Sequence, residues 1–318
     1  MTKFLLGLIC FLIVSPNTLV AQPIPDNQLI VPSKTSVIPF IWQGDSVNSK
    51  WEANAALLIP VKLKNCPRIF YMQFDLGSPY SLLYKNKIDG IKAKYPKAIP
   101  LNEIDEKIKG FSFKAGKTNI AAREIAMKQF DSSSIDWENE NKAEIIGTIG
   151  ADLIDGKVVI IDYPGRRLTI SQTIHPKLRQ RIILTNFIYS NRRVLLPAKI
   201  KGKETNLYFD TGSSMFELLT NKETCYQLAV PNALATQYKV ESWGKLLTAN
   251  TIASNESIEL ANVKIKIHSS TYIDGVNNSQ IEQMLKMGIG GMTGNKLFLN
   301  HVLVLDTKNS KFGLTTLH

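Results

Sequence analysis

Two aspartates are the residues of this 318-residue sequence whose type and spacing could do chemistry. Asp75 and Asp210 each end an apolar run and begin a turn with glycine and serine, as FDLGS at 74–78 and FDTGS at 209–213. The pattern predicts that each carboxyl group leaves a buried strand and enters a polar turn. When two carboxyl groups share one proton, the ionised group can take a proton from water while the protonated group donates one to the substrate. The chemistry predicted is hydrolysis without a metal.

The two motifs belong to an internal repeat, which is a primary signal of how a chain is organised. Each is followed by an apolar segment with glycines, GTIG at 147–150 and GGMTG at 290–294, and then by a strand that ends in aspartate. The interval from Gly150 to Asp162 is 12 positions, as is that from Gly294 to Asp306. The halves therefore align here without a gap.

The segments around the motifs are predicted to be strands. Residues 55–63 and 69–75 form two apolar runs joined by a turn at 64–67, and residues 194–200 and 206–210 repeat this arrangement in the second half. A further hairpin is predicted over 110–120, where apolar and polar residues alternate around Gly116. A short helix is predicted over 280–286. The chain is therefore expected to be mostly β.

With these motifs in both halves, the chain resembles the two-lobed, pepsin-like aspartic proteases. The resemblance covers both lobes and rests on the paired strand-Asp-x-Gly-Ser turns and the glycine segments that follow them. It implies an acid-protease fold of two pseudo-symmetric, β-barrel-like lobes with a catalytic cleft between them. It also implies an endopeptidase in which Asp75 and Asp210 hold the attacking water.

Neighbours of the two aspartates are expected to support them. Gly77 and Gly212 are predicted from the turn itself, because two loops that approach this closely leave no room for Cβ atoms. The resemblance implies that Ser78 and Ser213 donate hydrogen bonds to the outer carboxylate oxygens. It also implies that Thr211 reaches the backbone of the opposite loop.

The resemblance further implies that Gly147 and Gly291 lie beneath the pair, in the segments that support it.

A hairpin near 110–120 corresponds to the substrate-covering flap of the family, so the resemblance implies that Phe111, Phe113 and Gly116 contact substrate. Two departures accompany this. Position 76 is leucine where the family has threonine or serine, and residues 101–130 contain no tyrosine to serve as the flap phenol. The sequence therefore predicts asymmetric support of the two aspartates, with apolar packing at Leu76.

The sequence also divides into predicted segments. Residues 1–21 are expected to be a signal peptide, because Lys3 precedes an apolar run and small and apolar residues precede Gln22. Residues 22–35 are expected to be a flexible segment rich in proline, followed by lobes at 36–185 and 186–318. The protein is thus expected to be exported, and so secreted, periplasmic or at the cell surface.

Composition limits the classes of partner. The formal net charge is +11, but lysine is scattered and no basic block marks a nucleic-acid module. No later stretch is long and apolar enough to predict a membrane span. Cys66 and Cys225 lie in different halves, and the sequence leaves open a bridge between them or two buried thiols. The expected partner is a peptide or protein substrate of a monomer.

Rival sites are weak. The four histidines lack metal-ligand spacing, so neither a metal nor another cofactor is expected. Asp152, Asp162 and Asp306 are interpreted as structural residues at turns and strand ends. Two alternatives remain open: a weakly active or inactive peptide-binding or inhibitor protein on the same scaffold, and a dimeric retropepsin-like assembly, which a chain with two motifs does not need.

Overall fold

The computed structural model describes residues 29–100, 102–130, 133–242, 245–275 and 284–316. The signal peptide predicted at 1–21 lies outside them, as does most of the helix predicted at 280–286. Strands of the first half are β1 (Leu29–Ile30), β2 (Ser36–Pro39), β3 (Ile41–Val47), β4 (Lys50–Leu63), β5 (Ile69–Phe74), β6 (Leu82–Tyr84), β7 (Glu103–Ile104), β8 (Lys107–Lys109), β9 (Ser112–Ala115), β10 (Thr118–Ala122), β11 (Glu124–Lys128), β12 (Ile145–Ile149), β13 (Val158–Asp162) and β14 (Arg167–Ser171).

The second half continues this mostly β pattern. Its strands are β15 (Thr185–Asn186), β16 (Ile188–Ser190), β17 (Arg193–Ile200), β18 (Lys203–Phe209), β19 (Thr236–Ser242), β20 (Lys245–Ala253), β21 (Ser257–Leu260), β22 (Val263–Lys266), β23 (Ser269–Asp274), β24 (Ile289–Thr293), β25 (Val302–Asp306) and β26 (Lys311–Thr315). The α-helices include α1 (Lys85–Lys94), α2 (Pro176–Arg179) and α3 (Lys222–Leu228), and residues 284–286 are also helical. Short 3₁₀ turns occur at Pro96–Ala98, Ala151–Leu153, Thr211–Ser213 and Asn295–Phe298.

The chain folds into two lobes, which confirms the predicted fold class. Within the described residues, the N-terminal lobe is built on an 11-stranded sheet of order β1-β10-β9-β4-β5-β12-β6-β11-β8-β7, with β3 paired to β4. The C-terminal lobe is built on a sheet of order β22-β21-β17-β18-β24, with β16 paired to β17, and on a three-stranded sheet β19-β20-β23. Strands of both lobes alternate buried and exposed residues, as in β9 and β10, so each sheet covers a core.

A fourth sheet joins the lobes, with the order β15-β26-β25-β13-β14-β2. At its centre, β13 and β25 pair antiparallel, so that Val158 lies opposite Asp306 and Asp162 lies opposite Val302. These strands are the repeat-equivalent strands of the two halves. The domain boundary predicted near residue 186 falls in β15, which belongs to this shared sheet.

One apolar core extends through both lobes and includes Phe74, Phe209 and Phe298. All three are fully buried, and burial of such a side chain contributes about 1.5–3 kcal/mol. Phe74 and Phe209 directly precede the two aspartates. The core thereby fixes the ends of β5 and β18, where the candidate site begins.

The predicted flexible segment at 22–35 differs from the structure at its described end. Leu29 and Ile30 form β1, which pairs with β10 at Ala122 and Ala121. Leu29 is buried, and its backbone N–H donates to Asp152 Oδ2 at 3.1 Å. An apolar side chain and a backbone donor that both find buried partners explain why this part is a strand.

Candidate active site

Parallel strand pairing places each aspartate at the same depth in its lobe. At the end of β5, Asp75 N donates to Ile149 O of the neighbouring strand β12 at 2.9 Å. At the end of β18, Asp210 N donates to Thr293 O of the neighbouring strand β24 at 3.0 Å. The apolar strands end at these bonds, and the following residues turn away. The two turns meet at the junction of the lobes.

Gly77 and Gly212 permit this approach. A Cβ atom built on Gly77 would lie 2.5 Å from Asp210 Oδ1, and one built on Gly212 would lie 2.5 Å from Asp75 Oδ1. Real side chains do not tolerate such distances, so each glycine makes room for the opposite carboxyl group. This geometry agrees with the prediction that both positions require glycine.

Asp75 and Asp210 form a buried pair. Only 3% of Asp75 and 1% of Asp210 are exposed, and each carboxyl group lies against the glycine of the opposite turn. Gly77 N donates to Asp75 Oδ1 at 2.9 Å, and Gly212 N donates to Asp210 Oδ1 at 2.8 Å. The sequence-predicted aspartates are therefore brought together, each held by an amide of its own turn.

The serines support the pair unequally. Ser213 Oγ donates to Asp210 Oδ2 at 2.9 Å, in agreement with the role expected of it. Ser78 Oγ instead donates to Tyr80 O at 2.7 Å. The expectation that its hydroxyl donates to Asp75 therefore differs from the structure, because the turn through Pro79 brings the Tyr80 carbonyl oxygen within hydrogen-bond distance of Ser78 Oγ.

This inequality affects the pKa values of the Asp75 and Asp210 carboxyl groups differently. Burial raises the pKa of Asp75 well above its usual value, and the negative charge of Asp210 raises it further. Burial also raises the pKa of Asp210, but hydrogen bonds from Asp75, Ser213 and Gly212 oppose that rise. The hydrogen bonds at Asp210 favour its ionised form, whereas burial beside Asp210 favours the protonated form of Asp75.

Thr211 joins the two loops by hydrogen bonds across the lobe boundary. Its buried Oγ1 accepts from Leu76 N at 2.9 Å and donates to Phe74 O at 2.8 Å. Leu76, at the equivalent position of the first loop, is fully buried within the main core. The predicted asymmetry is present: a hydroxyl connects one side, and apolar packing takes its place on the other.

Two further glycines lie beneath the loops in equivalent places. A Cβ atom on Gly147 would collide with Leu82 O, and one on Gly291 would lie 2.6 Å from Leu219 O. Each glycine therefore lets the segment after its loop cross the supporting strand closely. This arrangement explains why the repeat keeps glycine at both positions.

The residues assigned to the flap lie elsewhere. Phe111 and Phe113 are 0% and 3% exposed and belong to the core, while β9 is paired to β4, and Gly116 lies against Pro39. The assignment of these residues to substrate binding is therefore corrected: a paired hairpin with inward phenylalanines packs the lobe. An earlier hairpin, β7–β8, turns at the exposed residues 105–106.

Several residues that the sequence did not single out also join the lobes next to the site. Ser214 Oγ donates to Asn54 O at 2.6 Å, and Lys296 forms an ion pair with Glu52 on the same hairpin. Arg192 reaches the first loop from the C-terminal lobe. Single polar residues in hairpins give no local signal of such contacts, so sequence reasoning missed them.

The part of the chain that the structure describes bears on two other kinds of feature, a metal site and a membrane span. It contains no group of three or more His, Cys, Asp or Glu side chains able to hold a metal ion. Its helices are too short or too polar to cross a membrane.

Cys66 and Cys225 are both buried free thiols. Of the two possibilities that the sequence left open, a bridge or two buried thiols, the structure has the buried thiols.

Comparison with known proteins gives a likeness of fold. No family model matches the chain, and no curated protein matches it. Among solved structures, it is similar to the crystal structure of aspartic proteinase from Irpex lacteus, with a TM-score of 0.49 and 10% sequence identity. The match covers 89% of this chain and 97% of that chain. It concerns the arrangement of strands and not activity.

Proposed function

We propose that the protein is an exported aspartic endopeptidase that hydrolyses peptide bonds with a water held by Asp75 and Asp210. The observation that carries this proposal is the buried pair of carboxyl groups, each against the opposite turn, where the two lobes meet. If the pair had only a structural role, the burial of two mutually repelling carboxyl groups would destabilise the fold and serve no function. Hydrolysis uses both of their protonation states.

The unequal surroundings divide the roles. Asp210, ionised and bound by Ser213 and Gly212, accepts a proton from the water as it attacks the scissile carbonyl carbon. Asp75, which holds the proton, donates it to the carbonyl oxygen as negative charge develops there. The carbon–nitrogen bond of the resulting diol then breaks, and the leaving nitrogen takes the proton from the Asp210 carboxyl. Asp75 takes back a proton from one hydroxyl of the diol, which becomes the carboxylic acid product, and the pair returns to its starting state.

The substrate would lie between the lobes, above the carboxyl pair. The β3–β4 hairpin borders this region because its Asn54 contacts Ser214 at the end of the second loop and its Glu52 contacts Lys296 in the turn after β24. Export rests on the segment at 1–21 and would deliver the enzyme to the periplasm, the cell surface or the medium. A monomer suffices, since one chain supplies both aspartates.

The first experiment compares Asp75→Asn, Asp210→Asn and the double variant on a peptide library. Each single change should abolish cleavage almost as fully as both together, because residues of one catalytic unit are not additive. Asp89→Asn is the matched control, since Asp89 lies half-exposed on α1 and pairs with Lys85. Substantial cleavage by either single variant would refute the proposal.

Inhibitors provide a second test. A statine-type compound should bind, because its hydroxyl takes the place of the water between the carboxyl groups, and a chelator should have no effect. Inhibition by the chelator with insensitivity to the statine would contradict the mechanism.

One observation favours a second candidate, a peptide-binding protein of weak or absent activity. The Ser78 hydroxyl is directed to Tyr80 O, so Asp75 lacks the support that Ser213 gives to Asp210. On this alternative the purified protein binds statine-type peptides and cleaves none of the library.

A further inference from the structure

Arg192 occupies a turn that disfavours its side chain. It follows Asn191 in the two-residue loop between β16 and β17, where Ser190 pairs with Arg193. The φ angles of Asn191 and Arg192 are 51° and 61°, in the left-handed region. Such a turn favours asparagine followed by glycine, because a Cβ atom at the second position is strained. Ser49 and Glu106 occupy the same position in other turns, with φ angles of 60° and 58°, so it is the contacts of the Arg192 side chain that distinguish this turn.

The side chain crosses from the C-terminal lobe to the first catalytic loop. Although charged, Arg192 is 8% exposed. Its Nη1 donates to Pro79 O at 3.1 Å, and its guanidinium carbon lies 4.6 Å from the centre of the Tyr80 ring. Both residues follow Ser78 directly, so the guanidinium fixes the loop four residues beyond Asp75.

The same guanidinium also contacts the turn beneath this loop. Its Nε donates to Asp155 Oδ2 at 2.7 Å, and the Asp155 carboxylate also accepts from Tyr189 Oη. Tyr189 Oη additionally lies 3.1 Å from Ala151 O, while Ala151 N donates to Ser78 O at 2.8 Å. Arg192 and Tyr189 therefore connect one C-terminal hairpin to both sides of the first loop. Desolvated ionic hydrogen bonds of this kind are stronger and more directional than exposed ones.

The second catalytic loop has local supports that the first lacks. Ser213 binds Asp210 directly, and Thr211 supplies the bonds between the loops. The first loop carries leucine in place of threonine at position 76, and its serine hydroxyl is directed away from Asp75. Its position therefore depends more on contacts from outside.

We propose that Arg192 is a positioning residue for Asp75, holding the first catalytic loop against the second from the opposite lobe. This inference rests on the proposed hydrolytic function. The guanidinium does not touch the substrate. It sets the distance between the two carboxyl groups, and that distance determines how firmly they share a proton. Loss of the guanidinium should let the loop move, and small displacements at a reacting centre cost up to about 100-fold in rate.

The test uses substitutions that separate the side chain from the strained backbone. Arg192→Gly removes the guanidinium and relieves the strain, whereas the matched control Asn191→Gly relieves strain at the neighbouring, exposed position and keeps the guanidinium. We expect Arg192→Gly to lower kcat about 10- to 100-fold with KM within about threefold. We expect Asn191→Gly to keep the wild-type kcat and unfolding temperature. Arg192→Gly should fold but unfold at a lower temperature, because it loses the buried hydrogen bonds to Asp155 and Pro79.

Two measurements exclude a merely structural role. The pH profile of kcat should narrow in Arg192→Gly, because carboxyl groups that move apart share a proton less firmly. Arg192→Lys, which keeps the charge but loses the planar fork, should give an intermediate kcat. A wild-type kcat and pH profile in Arg192→Gly would overturn the proposal. If Arg192→Gly does not fold, a wild-type kcat in Arg192→Lys would overturn it instead.

A readout without activity keeps this inference separate from the proposed function. Hydrogen exchange of the amides at 76–83 should be faster in Arg192→Gly than in Asn191→Gly, whether or not the protein cleaves peptides. Equal exchange would overturn the positioning role. A wild-type protein that neither cleaves peptides nor binds a statine would refute the proposed function alone.

Discussion

Replacement of Thr211 by valine tests the connection between the two loops most directly. Thr211 is fully buried, and its Oγ1 accepts from Leu76 N at 2.9 Å and donates to Phe74 O at 2.8 Å. Valine has almost the same shape, so the change removes hydrogen bonds and leaves the packing volume in place. Two backbone groups of the opposite lobe lose their shared partner.

The magnitude follows from those two groups. A buried donor or acceptor left without a partner costs about 1–3 kcal/mol, so Thr211→Val should lower the free energy of unfolding by about 2–6 kcal/mol. That is a large part of the stability of a typical protein, about 5–15 kcal/mol. Because the loops also carry the aspartates, peptide cleavage should fall as well.

Thr293→Val is the matched control. Thr293 is equally buried, and the closer contact of its Oγ1 is with Glu217 O at 2.9 Å, within the C-terminal lobe. Its replacement deprives one carbonyl oxygen of that donor and should cost about 1–3 kcal/mol. Urea unfolding followed by fluorescence measures both variants. If Thr211→Val is no more destabilising than Thr293→Val, the lobes do not depend on this hydroxyl and the reasoning is refuted.

Three further predictions concern the carboxyl pair. Ser213→Ala should raise the pKa of Asp210 and move the acidic limb of the pH–activity profile upward, whereas Ser78→Ala should leave that limb in place. The raised pKa of Asp75 means that the folded state keeps a proton which the unfolded chain releases above its ordinary pKa of 3.8. Stability should therefore fall as the pH rises from about 4 towards neutrality, and Asp75→Asn should flatten that slope in urea unfolding. Gly77→Ala should reduce cleavage about 100-fold, because its Cβ would displace the Asp210 carboxylate.

Each of these three predictions has an outcome that contradicts it. An equal shift of the acidic limb in both serine variants would remove the asymmetry of support. An unchanged pH slope in Asp75→Asn would mean that this carboxyl group is not protonated on folding. Gly90→Ala is the control for the glycine, since its Cβ would meet Ile135 Cδ1 at an ordinary 3.6 Å. Normal cleavage by Gly77→Ala would show that the loops tolerate a wider separation.

The centre of the site could be predicted because its constraints are local and occur twice. Each aspartate ends an apolar strand, and each glycine is required by the close approach of the opposite loop, so FDLGS and FDTGS carry the necessary information themselves. The pairing of β5 with β12 and of β18 with β24 follows the same repeat. Mostly β structure in two similar halves was predictable for the same reason.

The assignment of Phe111, Phe113 and Gly116 to a substrate-covering flap claimed more than the alternating pattern can predict. Alternation at 111–115 predicts a hairpin, and β9 and β10 form one. It does not say whether the inward side chains face a cleft or a core, and Phe111 and Phe113 face the core. Two successive hairpins, β7–β8 and β9–β10, lie in this region, and only tertiary pairing to β4 distinguishes them.

Contacts between lobes were beyond prediction from one sequence. Arg192 contacts Pro79 over a separation of 113 residues, and Ser214 contacts Asn54 over 160. No periodicity links such positions. The redirected hydroxyl of Ser78 is similar, because its choice between Tyr80 O and the Asp75 carboxylate depends on the exact course of the loop.

The mutual pairing of β13 and β25 has a consequence for how chemistry is assigned between the halves. Val158 faces Asp306 and Val302 faces Asp162, which is the reciprocal contact that two identical subunits make about a twofold axis. Two identical subunits would have to carry the same residue at both catalytic loops, and neither aspartate could differ from the other before substrate arrived. A tandem chain is free of that restriction. Leu76 stands where the second loop has Thr211, and the Ser78 hydroxyl is directed away from its aspartate whereas that of Ser213 binds Asp210. The two carboxyl groups therefore have different surroundings in the resting protein. On the proposed function, a substrate would meet an acid and a base that already differ before it binds.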